Sequence, residues 1–171
     1  ALFKSWEEDY KKIYEWLHTL ESPKYTGVIN KNLATSGQQV YSQTCALCHG
    51  IPGRGGEYPN TVVPIEIVKT DRARLDGLSA DFKEHFSSSW MGKYGETNIT
   101  THSKGYVAPP LDGIWASAPY FHNGSVPTLY HVLFSDERPA VWKVKDYSSY
   151  DHTRVGLLVA EYGRMPDTRT L

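Results

Sequence analysis

Cys45-Ala46-Leu47-Cys48-His49 is the short run in this chain whose residue types and spacing specify a chemistry. Its two cysteines are the only two in the sequence. C-x-x-C-H is the attachment signature of a c-type haem. On a helix, positions i, i+3 and i+4 share one face. Both sulfurs can then reach the two vinyl groups of one porphyrin while the imidazole of His49 points at the iron. Two rival chemistries use the same pair. A zinc site needs more cysteine or a paired histidine signature, and no second C-x-x-C exists here. A thioredoxin-like dithiol opens a helix after a strand, whereas Gly37 to Thr44 reads as a helix carried into the cysteines. One covalent haem c, held by thioethers from Cys45 and Cys48, is the expected cofactor.

His49 supplies one axial ligand to such a haem, and the second decides much of the function. The candidates are Met91, Met165 and the histidines outside the motif: His18, His85, His102, His122, His131 and His152. Thioether ligation suits an electron-transfer haem and raises its potential. Met165 precedes Pro166, whose ring fixes the local backbone and helps present the sulfur. Met91, between Trp90 and Gly92, has no such cue and is the alternative. Core filling by either methionine, ligation by a histidine, and an open iron stay as further readings.

These ligands need elements to carry them. The chain has 171 residues, which suits one domain. It is 40% hydrophobic and 13% aromatic, enough for a core that a buried haem would enlarge. A formal charge of −1 argues against a nucleic-acid footprint. No apolar run is long enough to span a bilayer, and there is no basic-then-apolar leader. Ala1 therefore reads as a mature or trimmed start. Haem c is attached outside the bacterial cytoplasmic membrane, so a periplasmic or extracellular address is expected.

Leu2, Phe3, Trp6, Tyr10, Ile13, Tyr14, Leu17 and Leu20 form one stripe at helical spacing. The expected organisation is an N-terminal packing helix within residues 1–22, a linker over 23–32, and a haem domain over 33–171. A second helix, near Leu33 to His49, carries the motif. Gly50 to Pro59 is an irregular loop. Val62 to Val68 is apolar and β-branched, but Pro64 demotes it to an edge or extended segment. Ser79 can cap a short helix through Phe86. Gly92 to Pro110 is loop-like. Pro127 opens a helix over Thr128 to Phe134, and Arg154 to Tyr162 is a short helical or extended piece. Trp90, Trp115, Tyr106, Tyr120 and Phe121 are candidate walls of the haem pocket. Arg54, Arg72 and Arg74 are candidate propionate partners.

Gly37 to Gly50 resembles the first haem-binding helix of class I cytochromes c. Gly37 and Tyr41 hold the places of the glycine and aromatic that accompany a close helix crossing there. Met165-Pro166 resembles the axial-ligand loop of the same class. The fold expected from this is mainly α: a class I cytochrome c-like haem domain with long loops and an extra N-terminal helix. A longer block, from Tyr106-Val107-Ala108-Pro109-Pro110-Leu111 through Ala118-Pro119-Tyr120-Phe121-His122-Asn123-Gly124-Ser125-Val126-Pro127-Thr128-Leu129, resembles a signature of the bacterial di-haem cytochrome c peroxidase and rubber-oxygenase superfamily. Val68-Lys69-Thr70-Asp71 is similar to a short segment of that family. Trp16 to Leu20 with Ser22 to Tyr25 is similar to the end of its preceding haem domain and linker.

The resemblance implies a mono-haem chain like the second, electron-feeding haem domain of that architecture, standing without the first. Shortening in evolution and a fragment of a longer protein are both compatible with it. It implies a network role for His122 near the haem edge, with a hydrogen bond to a propionate or a backbone group. It also implies a calcium site at the carbonyls of Ser117 to Pro119, one that in relatives draws on the missing domain. The leading functional reading is an electron carrier between redox-protein partners. The alternatives are a haem peroxidase or oxygenase, with His102 and Glu96 as imaginable acid–base groups, and a domain or subunit of a larger di-haem oxidoreductase.

Overall fold

The computed structural model describes residues 5–53, 55–77, 79–89 and 104–163. The described helices are α1 (Glu7–His18), α2 (Lys31–Thr44), α3 (Ala46–His49), α4 (Ile65–Val68), α5 (Ala73–Asp76), α6 (Ala80–Ser88) and α7 (Leu129–Leu133). The strands are β1 (Val62–Pro64), β2 (Gly105–Val107), β3 (Val141–Val144), β4 (Tyr150–Asp151), β5 (Gly156–Leu157) and β6 (Val159–Tyr162). Short 3-10 turns lie at Ile114–Ala116 and Ser135–Glu137.

A mainly α fold is not what forms. Helix takes 41% and strand 15% of the described residues, so the fold is mixed α/β with modest sheet. All the strands are short and pair antiparallel, β1 with β2, β3 with β6 and β4 with β5. The physical reason is partner choice. Runs such as Val141-Trp142-Lys143-Val144 and Val159-Ala160-Glu161-Tyr162 suit a pleated, half-buried surface, but each becomes a strand only on meeting the other. Their register, Val141↔Tyr162 through Val144↔Val159, spans a separation that no local pattern encodes.

The chain clusters into two compact units. One comprises residues 28–111 and 120–125 and contains the C-x-x-C-H run; here it is called the motif unit. The other comprises 1–27, 112–119 and 126–171.

In the motif unit, Asn30 caps α2 by accepting from the backbone N–H groups of Asn32 and Leu33. Ser79 caps α6 by accepting from Phe82 N at 3.1 Å, as its sequence position predicts. Pro64 sits in β1, a member of a two-stranded pair, where a missing N–H is tolerated. Ile65 and Tyr120 are its buried apolar side chains.

In the second unit, α1 carries the predicted stripe, but none of its side chains is buried. The fixed centre is instead α7. Val126, Pro127, Thr128 and His131 are fully or almost fully buried. The first N–H groups of α7 are satisfied by the β4–β5 hairpin, with Leu129 N donating to Val155 O and Tyr130 N to Arg154 O. Its last carbonyls accept from Arg138, whose Nε reaches His131 O and Nη2 reaches Val132 O. Thr128 Oγ1 lies 2.9 Å from His131 Nδ1, and Glu161 Oε1 lies 3.8 Å from its Nε2. Arg154 pairs with the same Glu161 carboxylate.

Burial pushes the His131 pKa below its ordinary 6.5, with Arg154 adding to the effect and Glu161 opposing it. The unfolded chain therefore binds this proton at a higher pH than the fold does. Stability is then full above the unfolded value and falls as pH drops from about 6.5 towards 5. Urea midpoints measured across that range should fall more steeply for the wild type than for His131→Gln. Parallel curves would contradict the buried-imidazole account.

Candidate haem-attachment site

The motif is built at a helix junction. Helix α2 ends at Thr44, Cys45 sits at the joint with φ −112° and ψ −35°, and α3 carries Ala46 to His49. Cys45 N still donates to Tyr41 O at 2.8 Å, and His49 N donates to Cys45 O at 2.9 Å. The helical path therefore runs through the motif and keeps Cys45, Cys48 and His49 on neighbouring positions of one face. Both cysteines are free thiols and partly exposed. The Thr44 hydroxyl donates to Val40 O, so its 3.3 Å contact with Cys45 Sγ is made with the thiol as donor.

Gly50 closes the run. It is buried, with φ +73°, and a Cβ there would stand 2.2 Å from Glu57 O. Its N–H donates to Ala46 O, and its carbonyl accepts from Tyr41 Oη at 2.9 Å. Tyr41, which the sequence placed at a helix crossing, thus ties α2 to the residue after His49. Gly37 fills no crossing among the described residues, since a Cβ there would meet none of them within 4 Å.

His49 Nδ1 lies 2.8 Å from Pro109 O. A carbonyl only accepts, so the proton of a neutral imidazole must sit on Nδ1. That leaves the Nε2 lone pair unprotonated and fixes the ring plane. It is the arrangement in which a histidine binds a metal through one nitrogen while the other is held by an outer partner. The Tyr58 hydroxyl donates to the neighbouring Ala108 O, so the same short stretch is pinned from two sides. Sequence reasoning missed this link, although Pro109 stands in the quoted block.

The donor set fits a haem c. Two reduced thiols and one imidazole with a free Nε2 share a helix face. Apolar side chains of the same unit are exposed, including Leu33 at 70%, Leu47 at 87% and Ile51 at 61% exposure.

The other sequence candidates divide. His122 Nε2 lies 3.8 Å from Asp71 Oδ2, and its ring stacks on Tyr106 with centroids 6.4 Å apart. The Tyr106 hydroxyl in turn donates to Asp71 O and accepts from Leu75 N. His122 thus meets Tyr106 and Asp71 within the motif unit, and this carboxylate is one the sequence did not single out for it. Tyr120 is buried beside it in the chain, while Phe121 is half exposed with φ +67°. Arg72 is paired bidentately with Asp76, which raises its pKa, and Arg74 stands two residues on in α5. Trp115 belongs to the other unit, where its indole N–H donates to Pro23 O. Arg54, Trp90, Met91, Met165, His102 and Glu96 lie outside the described residues. Among the described residues no three His, Cys, Asp or Glu side chains converge on a metal position, and nothing there supports the calcium expectation at Ser117 to Pro119.

Residues 105–143 match a family described as RoxA-like, cytochrome c-like. The matched stretch contains Pro109 and His122 and lies outside the C-x-x-C-H run. The match supports a cytochrome c-like family and a cytochrome c-type, haem-binding function. The chain is 28% identical to the uncharacterized protein y4iM of Sinorhizobium fredii over 183 aligned residues, covering 91% of this chain and 41% of y4iM. It is 46% identical to the uncharacterized protein y4iJ of the same organism over 57 residues, 33% of this chain and 9% of y4iJ. The chain thus spans about two fifths of the first relative and a small part of the second.

Proposed function

We propose that this chain is a c-type cytochrome unit that relays single electrons between redox partners. Cys45 and Cys48 would hold one haem by thioethers, and His49 Nε2 and Met165 would bind its iron, with Met91 as the alternative to Met165. The observation that carries the reading is the His49 Nδ1 bond to Pro109 O, which frees Nε2 and fixes the ring. The haem would supply a reversible one-electron couple. The chain's own residues do the rest. Tyr41 and Gly50 hold the end of the motif helix, and Pro109 holds the imidazole. Methionine ligation would raise the potential and occupy the iron site that peroxide would need.

The partners would be redox proteins. The C-x-x-C-H run favours a periplasmic or extracellular setting, because haem c is attached outside the cytoplasmic membrane. Among the described residues no helix is long and apolar enough to cross a membrane. The same unit would serve within a longer di-haem oxidoreductase, a reading supported by the chain spanning about two fifths of its first relative.

The ferric near-infrared spectrum tests the ligand pair. A band typical of Met–iron ligation is expected, and Met165→Ala should abolish it and convert the spectrum to high spin. Persistence of the band in that variant would move the assignment to Met91. A high-spin wild type that binds cyanide or peroxide rapidly would contradict the relay and favour the enzyme reading.

A further inference from the structure

The unit that lacks the motif holds a second set of redox-competent side chains. Tyr25 follows Pro23 and Lys24, and its ring folds back over Gly27. A Cβ at Gly27 would lie 2.5 Å from the phenol carbon and oxygen, so only glycine admits the ring there. The Tyr25 ring meets Trp115 edge-on, with centroids 5.6 Å apart, and His152 at 5.9 Å. Trp115 meets Tyr150 at 5.7 Å, and Tyr150 meets His152 at 5.0 Å. The four rings close a loop of edge-to-face contacts, each in the favoured distance range for aromatic pairs.

Tyrosine and tryptophan are oxidisable side chains, and their hydrogen bonds separate them. An oxidised phenol is a strong acid, so its electron leaves readily only when a base takes the proton. The Tyr150 hydroxyl donates to Trp115 O at 2.7 Å, and a backbone carbonyl cannot hold that proton. Burial also pushes the Tyr150 phenol up to about 12. The Trp115 indole N–H likewise faces a carbonyl, Pro23 O, at 2.8 Å. Tyr25 differs, because its Oη lies 3.2 Å from His152 Nδ1 and 3.4 Å from His152 O. With Nε2 protonated, Nδ1 is an acceptor at hydrogen-bond distance from the phenol. His152 is exposed, so the proton has a path to solvent.

We propose that Tyr25 and His152 form a proton-coupled redox site, with Trp115 as the ring contact through which the electron leaves. In the forward step the Tyr25 O–H bond breaks and an Nδ1–H bond forms on His152. One electron passes to a high-potential one-electron oxidant, such as an oxidised metal centre of a partner protein. The products are a neutral Tyr25 phenoxyl radical and an imidazolium. On reduction one electron and the same proton return. Trp115 keeps its proton and carries only charge, and Tyr150, whose phenol faces a carbonyl, stays reduced. The site uses no residue of the haem-attachment run and does not depend on haem.

The test is flash oxidation of the full-length chain by photogenerated tris(bipyridine)ruthenium(III), read by electron paramagnetic resonance and transient absorption of the tyrosyl radical. The dominant radical should vanish in Tyr25→Phe. In His152→Phe, which keeps a ring in place, radical formation should slow roughly a hundredfold, the lower end for loss of a positioned base. Gly27→Ala, which displaces the phenol while keeping both partners, should slow it in the same direction. Wild-type oxidation should also slow in deuterium oxide. An unchanged radical in Tyr25→Phe, or an unchanged rate in a folded His152→Phe chain, overturns the proposal. So does a wild type with no deuterium effect, whatever the variants do. The readout is the tyrosyl signal, so its failure and failure of the haem assignment are told apart.

Discussion

A chain carrying both Cys45→Ala and Cys48→Ala is expected to retain no covalent haem. Thioether bonds need cysteine sulfur, and these are the only two cysteines. Both are free, partly exposed and held on one helical path by the Cys45 N–Tyr41 O and His49 N–Cys45 O bonds. Among the described residues neither thiol has a competing bond beyond the Thr44 contact of Cys45. The effect should be complete, with haem staining lost from a denaturing gel. Each single variant should keep one thioether and shift the pyridine haemochrome band, because one vinyl group then stays unsaturated. Haem staining that survives in the double variant would place attachment elsewhere.

Gly50→Ala is expected to destabilise the protein by on the order of 3 kcal/mol and to cut haem incorporation with it. Two effects add. A φ of +73° is costly for any residue with a Cβ. The new methyl would also stand 2.2 Å from Glu57 O, a backbone atom already held by Ile51 N at 2.7 Å. Relief requires breaking that bond or withdrawing Gly50 from Ala46 O and the Tyr41 hydroxyl, which moves the residue beside His49. Gly37→Ala is the matched contrast. It lies inside α2 with nothing among the described residues within 4 Å of the added carbon, so it should stabilise by about 0.5–1 kcal/mol. Denaturant midpoints and holoprotein yield for the two variants should move in opposite directions. Equal tolerance would contradict the view that the Gly50 turn positions the site.

The parts of this site that were legible in the sequence are the local ones. Cys45, Cys48 and His49 announce themselves because helix geometry alone puts i, i+3 and i+4 together. Ser79 was legible for the same reason, since capping acts over a few residues, whereas the segment expected to be extended over Val62 to Val68 is strand only to Pro64 and helix from Ile65. What stayed hidden depends on partners far along the chain. The carbonyl that orients His49 comes from Pro109, sixty positions on. Asp71 meets His122 only through the fold, and the β3–β6 pairing exists only once both runs are brought side by side. A local reading therefore assigned too little strand. The bond of Trp115 to Pro23 and its contacts with Tyr25 and Tyr150 likewise join residues far apart in the chain. The buried His131 had a faint signal in the Thr128-x-x-His131 spacing, which reads as a helix cap.

The most direct test of the central claim is the intact mass of the chain after expression with a haem c attachment system, together with its pyridine haemochrome spectrum. The account predicts the polypeptide mass plus one haem, in a form that survives denaturation, with the spectrum of a haem joined by two thioethers. A polypeptide recovered at its unmodified mass, with Cys45 and Cys48 joined as a disulfide or bound to zinc, would contradict it.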